Sequence, residues 1–135
     1  MLTDFSLKRW QRRVRMLAVV LVVALPVGLW VGGALPVAVH LIPAPWDKLA
    51  HALVFAVLAF AVGLASGLSG RAAMAVAFCG ALAVGALDEW HQMSLAGRAA
   101  GWDDLLADAA GAALGSALLG MRARRCNKIE PHRAQ

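Results

Sequence analysis

Charge is scarce in this sequence. Asp, Glu, Lys and Arg make up 16% of its 135 residues, hydrophobic residues make up 61%, and mean hydropathy is +0.68. A soluble domain of this length has too much surface to hide that apolar fraction, so the composition excludes one. Cysteine is nearly absent as well. Cys79 lies in an apolar run and Cys126 in the polar tail, sharing no oxidising surface, so neither a disulfide nor thiol chemistry is expected. Internal repeats are also lacking, and the apolar runs are joined only by short links.

What is present is a set of long apolar runs. Runs of roughly 20 residues match the hydrocarbon thickness of a bilayer, and lipid cannot hydrogen-bond exposed backbone, so such runs are read as α-helices. There are four, from about Met16 to Leu35, Leu49 to Leu68, Ala72 to Trp90 and Trp102 to Met121. Pro26 falls within the first, which predicts a kink or a compensating neighbour. Ser66-Gly67-Leu68-Ser69-Gly70 reads as the turn between the second and third. Five cations before the first run give it the order of a secretory signal, but the run is longer than a signal's apolar core and three more follow, so it is read as an uncleaved helix. The expected fold is all-α, a four-helix transmembrane bundle comprising a basic segment at 1–15, a membrane domain at 16–121 and a basic tail at 122–135.

Orientation follows from the cations. Lys8, Arg9, Arg12, Arg13 and Arg15 precede the first span, Arg122, Arg124, Arg125, Lys128 and Arg133 follow the fourth, and Arg71 lies between the second and third. Only Lys48 and Arg98 fall on the other side, a bias that predicts both termini in the cytoplasm. Two termini on one side require an even number of spans, in agreement with four. The acids are distributed in reverse: Asp47, Asp88, Glu89, Asp103, Asp104 and Asp108 gather at the outer face with His40, His51 and His91. The pI near 10.3 therefore reflects orientation and an affinity for anionic lipid, and no nucleic-acid partner is expected.

Helical spacing groups these residues. Asp47 and His51 are one turn apart at the start of the second span, with Lys48 facing an unfavourable helix dipole that a carboxylate would offset. The alternative is that Asp47 caps the helix, Lys48 snorkels to water and His51 is simply interfacial. Asp88, Glu89, His91 and Gln92 end the third span, where carboxylates oppose the dipole and need compensation. Arg98, in the following connection, could supply a two-bonded guanidinium partner or lie in water. Asp103 and Asp104 suit the N-terminus of the fourth span as caps, whereas Asp108 stands one turn deeper and is expected to point into the bundle. Gly111 and Gly115 form a G-x-x-x-G pair for close helix packing, either within the monomer or in a homo-oligomer. Trp46, Trp90 and Trp102 suit an interfacial aromatic belt, and the proline-containing connection from Val31 to Trp46 is placed at or in the outer interface.

Three pieces, Asp47-Lys48-x-x-His51 with Phe55 four residues on, Asp88-Glu89-x-His91-Gln92 followed by Arg98, and Asp104-x-x-x-Asp108 before a glycine-containing helix, resemble the VanZ-like membrane proteins from Trp46 to about Gly120. Asp108 stands where that family more often has asparagine, and Ser94 where an aromatic is frequent. The resemblance implies a multi-pass protein of the bacterial cytoplasmic membrane linked to the cell envelope; the family's namesake is associated with resistance to the glycopeptide teicoplanin.

Three kinds of function fit these residues. In the first, Asp47, Lys48, His51, Asp88, Glu89, Gln92, Arg98, Asp104 and Asp108 form an outer-face network that binds or modulates an envelope component, either a lipid-linked precursor or an envelope protein. In the second, His51 is a general base or nucleophile with Asp88 or Glu89 as its partner, acting on a lipid-linked phosphate. The third is proton-coupled transport through intramembrane Asp and His residues. The first is favoured, since an acidic face repels phosphate and four short helices leave little room for a substrate path. No metal-ligand motif is read, and the sequence leaves the cofactor open.

Overall fold

The computed structural model describes residues 4–35, 42–95 and 101–129. Among them are four helices, α1 (Asp4–Gly33), α2 (Trp46–Ser66), α3 (Gly70–Met93) and α4 (Trp102–Ile129), and no strand. Each is long and apolar enough to cross a membrane, with spans at Phe5–Gly33, Trp46–Ser66, Gly70–Met93 and Trp102–Arg124.

The apolar runs do not set the helix ends. α1 begins at Asp4, so the basic segment continues the helix, and at 1.5 Å per residue its 30 residues reach about 45 Å, well beyond a hydrocarbon core of about 30 Å. Leu, Gln, Arg and Lys are good helix formers, and nothing in their chemistry ends a helix where lipid ends. α4 continues past Met121 in the same way. α1 also runs through Pro26. α2 stops at Ser66 because Gly67 takes a left-handed conformation at φ 70°. The Ser66 hydroxyl donates to the Gly63 carbonyl (2.7 Å) and accepts from the Leu68 amide (3.1 Å), fixing the turn into α3.

Side-chain pairing gives the directions. Lys48 meets Asp104, His51 meets Asp108 and Gly63 meets Leu119, so α2 and α4 run parallel. Arg15 meets Ala65 and Trp30 meets His91, so α1 runs antiparallel to α2 and alongside α3. The bundle is up-down-up-down. The start of α1, the α2–α3 turn and the end of α4 share one end; the starts of α2 and α4 and the end of α3 share the other.

Small residues let the backbones approach, as helices in lipid require when no hydrophobic force separates them from their solvent. Ala73, Ala77, Ala81 and Gly85 line one face of α3 at one-turn intervals, and the core joins three of these to Phe55, Leu58 and Ala59 of α2 and Ala112 and Leu119 of α4. α4 packs most extensively on α2. A Cβ on Gly111 would overlap the Ala52 carbonyl, and one on Gly115 the Ala56 carbonyl. The G-x-x-x-G pair thus serves the α2–α4 contact within the monomer, which leaves any homo-oligomer to other surfaces.

α1 is the loosest element, packed on α2 and α3 but not on α4 among the described residues. One polar tie runs through Arg15, whose Nε donates to the Ala65 carbonyl (3.1 Å) while the guanidinium covers Gly67. A cation at the end of α2 satisfies a free carbonyl and complements the helix dipole. Arg15→Ala is expected to cost about 1 kcal/mol at this exposed contact, read as a fall of a few degrees in the Tm of detergent-solubilised protein; an unchanged Tm would show that the tie contributes nothing.

Candidate functional site: a carboxylate cluster at one end of the bundle

At the end opposite Arg15, three helices deliver polar groups into an otherwise apolar bundle. Lys48 lies in the first turn of α2, where the dipole disfavours a cation. Its Nζ is surrounded by Asp47 Oδ2 at 3.2 Å, Asp103 Oδ2 at 2.9 Å and Asp104 Oδ1. Asp103 and Asp104 open α4, where carboxylates favour the dipole, so the adjacent helix starts supply the anions that hold Lys48 in place.

One turn deeper the same pairing recurs. His51 is three residues beyond Lys48 and Asp108 four beyond Asp104; His51 Nδ1 and Asp108 Oδ1 are 2.9 Å apart. The His51 ring lies parallel to that of Phe55, with centroids 6.4 Å apart. Asp108 is fully buried, and its Oδ2 sits in the notch left by the missing side chain of Gly85, where a Cβ would come within 2.9 Å. With Nδ1 engaged by Asp108, Nε2 is the ring nitrogen of His51 left for a further partner.

The end of α3 closes the cluster. The Gln92 side-chain amide donates to Asp88 Oδ2 at 2.9 Å across one turn. Glu89 Oε2 accepts the Gly101 amide at 3.0 Å, tying the end of α3 to the start of α4. Asp88, Glu89 and Asp108 retain exposures of 2%, 7% and 0%, values at which an ionised carboxylate needs compensation. Yet Asp47 Oδ1, Glu89 Oε1 and Asp108 Oδ2 are buried without a hydrogen-bond partner. Six carboxylates and one lysine meet here among the described residues. The arrangement can accept hydrogen bonds, hold a positive charge and exchange a proton at an imidazole.

The expected residues divide accordingly. Asp47, Lys48 and Asp104 form the outer group, His51 and Asp108 the inner pair, and Asp88, Glu89 and Gln92 the wall from α3. His51 pairs with Asp108, whereas the sequence suggested Asp88 or Glu89. Asp103, read as a helix cap, reaches Lys48. Gly85 was not singled out, and nothing in its spacing marks it; its part depends on Asp108 facing it across the bundle. His91 stays outside the ionic group and lies against Trp30 of α1, with the rings tilted by 30° and centroids 5.5 Å apart. Trp46, Trp90 and Trp102 are all exposed around this end, as a belt requires. Arg98 and His40 lie outside the described residues. Among the described residues no three His, Cys, Asp or Glu side chains converge as ligands for a metal ion.

No curated protein and no solved structure matches the chain. A family model does, that of VanZ/LLP1, over residues 3–122; this stretch takes in the whole polar cluster and nearly all of the four spans, and the chain belongs to that family.

Proposed function

We propose that the protein sits in the bacterial cytoplasmic membrane with both termini in the cytoplasm, and that its carboxylate cluster faces outward to bind or modulate an envelope component, with an effect on glycopeptide susceptibility. The observation that carries this reading is the convergence of α2, α3 and α4 on buried carboxylate oxygens that lack partners. A cluster whose only task was to hold helices together would be expected to satisfy its own oxygens, since each buried orphan costs about 1–3 kcal/mol. The distribution of cations supports the orientation, because positive residues are retained on the cytoplasmic side.

The test uses cells carrying His51→Ala, Asp88→Asn or Arg98→Ala, with membrane levels matched by immunoblot, challenged with teicoplanin and other envelope-targeting compounds. Susceptibility is expected to return to that of cells lacking the protein. Wild-type behaviour in all three would remove the polar cluster from function.

A second reading has one specific observation behind it. The His51–Asp108 pair, with Nδ1 held by the carboxylate and Nε2 turned to the other side of the ring, has the arrangement of a general base, which suits hydrolysis or transfer on a lipid-linked substrate. Turnover of such a lipid by purified protein, lost in His51→Ala, would favour it over binding alone.

A further inference from the structure

We infer that the ligand class of this cluster is a primary ammonium group, received at Glu89 with Asp88 and Asp108 beside it; this deepens the binding reading above and rests on it.

The protein already shows how its carboxylates treat an ammonium. Such a group is a compact cation with three donors and no acceptor, and the Lys48 ammonium takes up Asp47, Asp103 and Asp104 at once. Deeper in the cluster there are as many acids, and among the described residues they pair with no lysine or arginine. Asp88 receives the Gln92 amide, Glu89 the Gly101 amide and Asp108 the His51 ring. Each of these donors satisfies one oxygen. Glu89 Oε1 and Asp108 Oδ2 remain buried and unpartnered. Asp88, Asp104 and Asp108 all lie near enough to Glu89 to act on it electrostatically. Among the described residues these acids thus have two oxygens without a donor and no lysine or arginine paired to them, and an ammonium supplies both donors and charge.

Other ligand classes meet the site less well. Among the described residues a phosphate would face six carboxylates across one lysine. A hard divalent ion takes about six oxygens at short range, more than the two open oxygens that the deeper acids offer among the described residues. An ammonium can enter on a lipid headgroup or on a peptide side chain of the envelope, and the chemistry at Glu89 is the same for both.

The experiment uses full-length protein in detergent micelles and calorimetric titration with dihexanoyl phosphatidylethanolamine and with Nα-acetyl-lysine amide, each paired with its N-acetylated form, which lacks the charge. At least one amine is expected to bind, with acetylation weakening it about tenfold or more, as loss of a charge-assisted contact requires. The amine that binds identifies the lipid or peptide source. Glu89→Gln is expected to lose affinity equally, because the Gln oxygen still accepts the Gly101 amide while the charge is gone. Arg71→Gln, exposed at the opposite end, is expected to bind as wild type. Acetylated and free amines binding alike would overturn the inference, as would Glu89→Gln binding at full strength. If neither amine binds but Glu89→Gln still alters envelope susceptibility in cells, the ammonium is wrong and the binding reading stands. If Glu89→Gln, His51→Ala and Asp88→Asn all leave susceptibility unchanged, both fall.

Discussion

Gly111→Ala is expected to lower the stability of the bundle by about 3 kcal/mol or more, and Gly111→Leu to prevent its assembly. The methyl of an alanine at 111 would overlap the Ala52 carbonyl oxygen and crowd its carbon and Cα, all backbone atoms of a helix that cannot move aside singly. Relief requires α2 and α4 to separate. Gly111 lies one turn below Asp108, and Ala52 is next to His51, so that separation would also open the 2.9 Å His51–Asp108 contact. Gly115 against Ala56 repeats the constraint one turn on. Gly28 of α1 provides the contrast, since a Cβ there meets nothing within 4 Å and alanine is the better helix former. Thermal unfolding of detergent-solubilised protein should show Gly28→Ala at or above the wild-type Tm and Gly111→Ala far below it. Equal Tm values for the two would refute the close α2–α4 approach.

The same contact explains how much of the site could be read from sequence. Four spans were legible because lipid imposes a length on any apolar run. Their ends were less so: α1 continues back through Lys8, Arg9 and Arg12 because these residues propagate a helix in water as readily as apolar ones do in lipid. An even number of spans puts Asp47, Asp88 and Asp104 at one end whatever the packing, so most of the acids of the cluster were legible, though Asp103 read only as a cap. Partnership was not. Whether His51 reaches Asp108, Asp88 or Glu89 depends on how α2 and α4 are rotated and shifted against each other, and that is set by Ala52 and Ala56 seating on Gly111 and Gly115. The glycine pair was visible in the sequence without its partner. One pattern did carry the register, the near-equal spacing of Lys48 to His51 and Asp104 to Asp108, which allows two parallel helices to match twice.

Removing one member of the inner pair is expected to cost more than removing both. His51→Leu leaves Asp108 fully buried, with Gly85 on one side and no donor on the other. Breaking a buried pair in this way costs about 3–5 kcal/mol, because the surviving charge has neither water nor a partner. His51→Leu/Asp108→Leu removes the orphan and fills the space with apolar atoms, so it should recover most of that loss. Asp108→Asn should cost about 1 kcal/mol, since an amide can still hydrogen-bond the ring without leaving a charge. Unfolding midpoints for the wild type, both single leucine variants and the double variant, all in one detergent, give the coupling directly. A coupling near zero would mean that the two groups do not interact in the folded protein. If the double variant is stable yet cells carrying it behave as though the protein were absent, then a hydrophobic pair supports the fold but not the activity. His51 and Asp108 would then be retained for what the imidazole contacts, and the 2.9 Å bond between them would serve to orient the ring toward that partner.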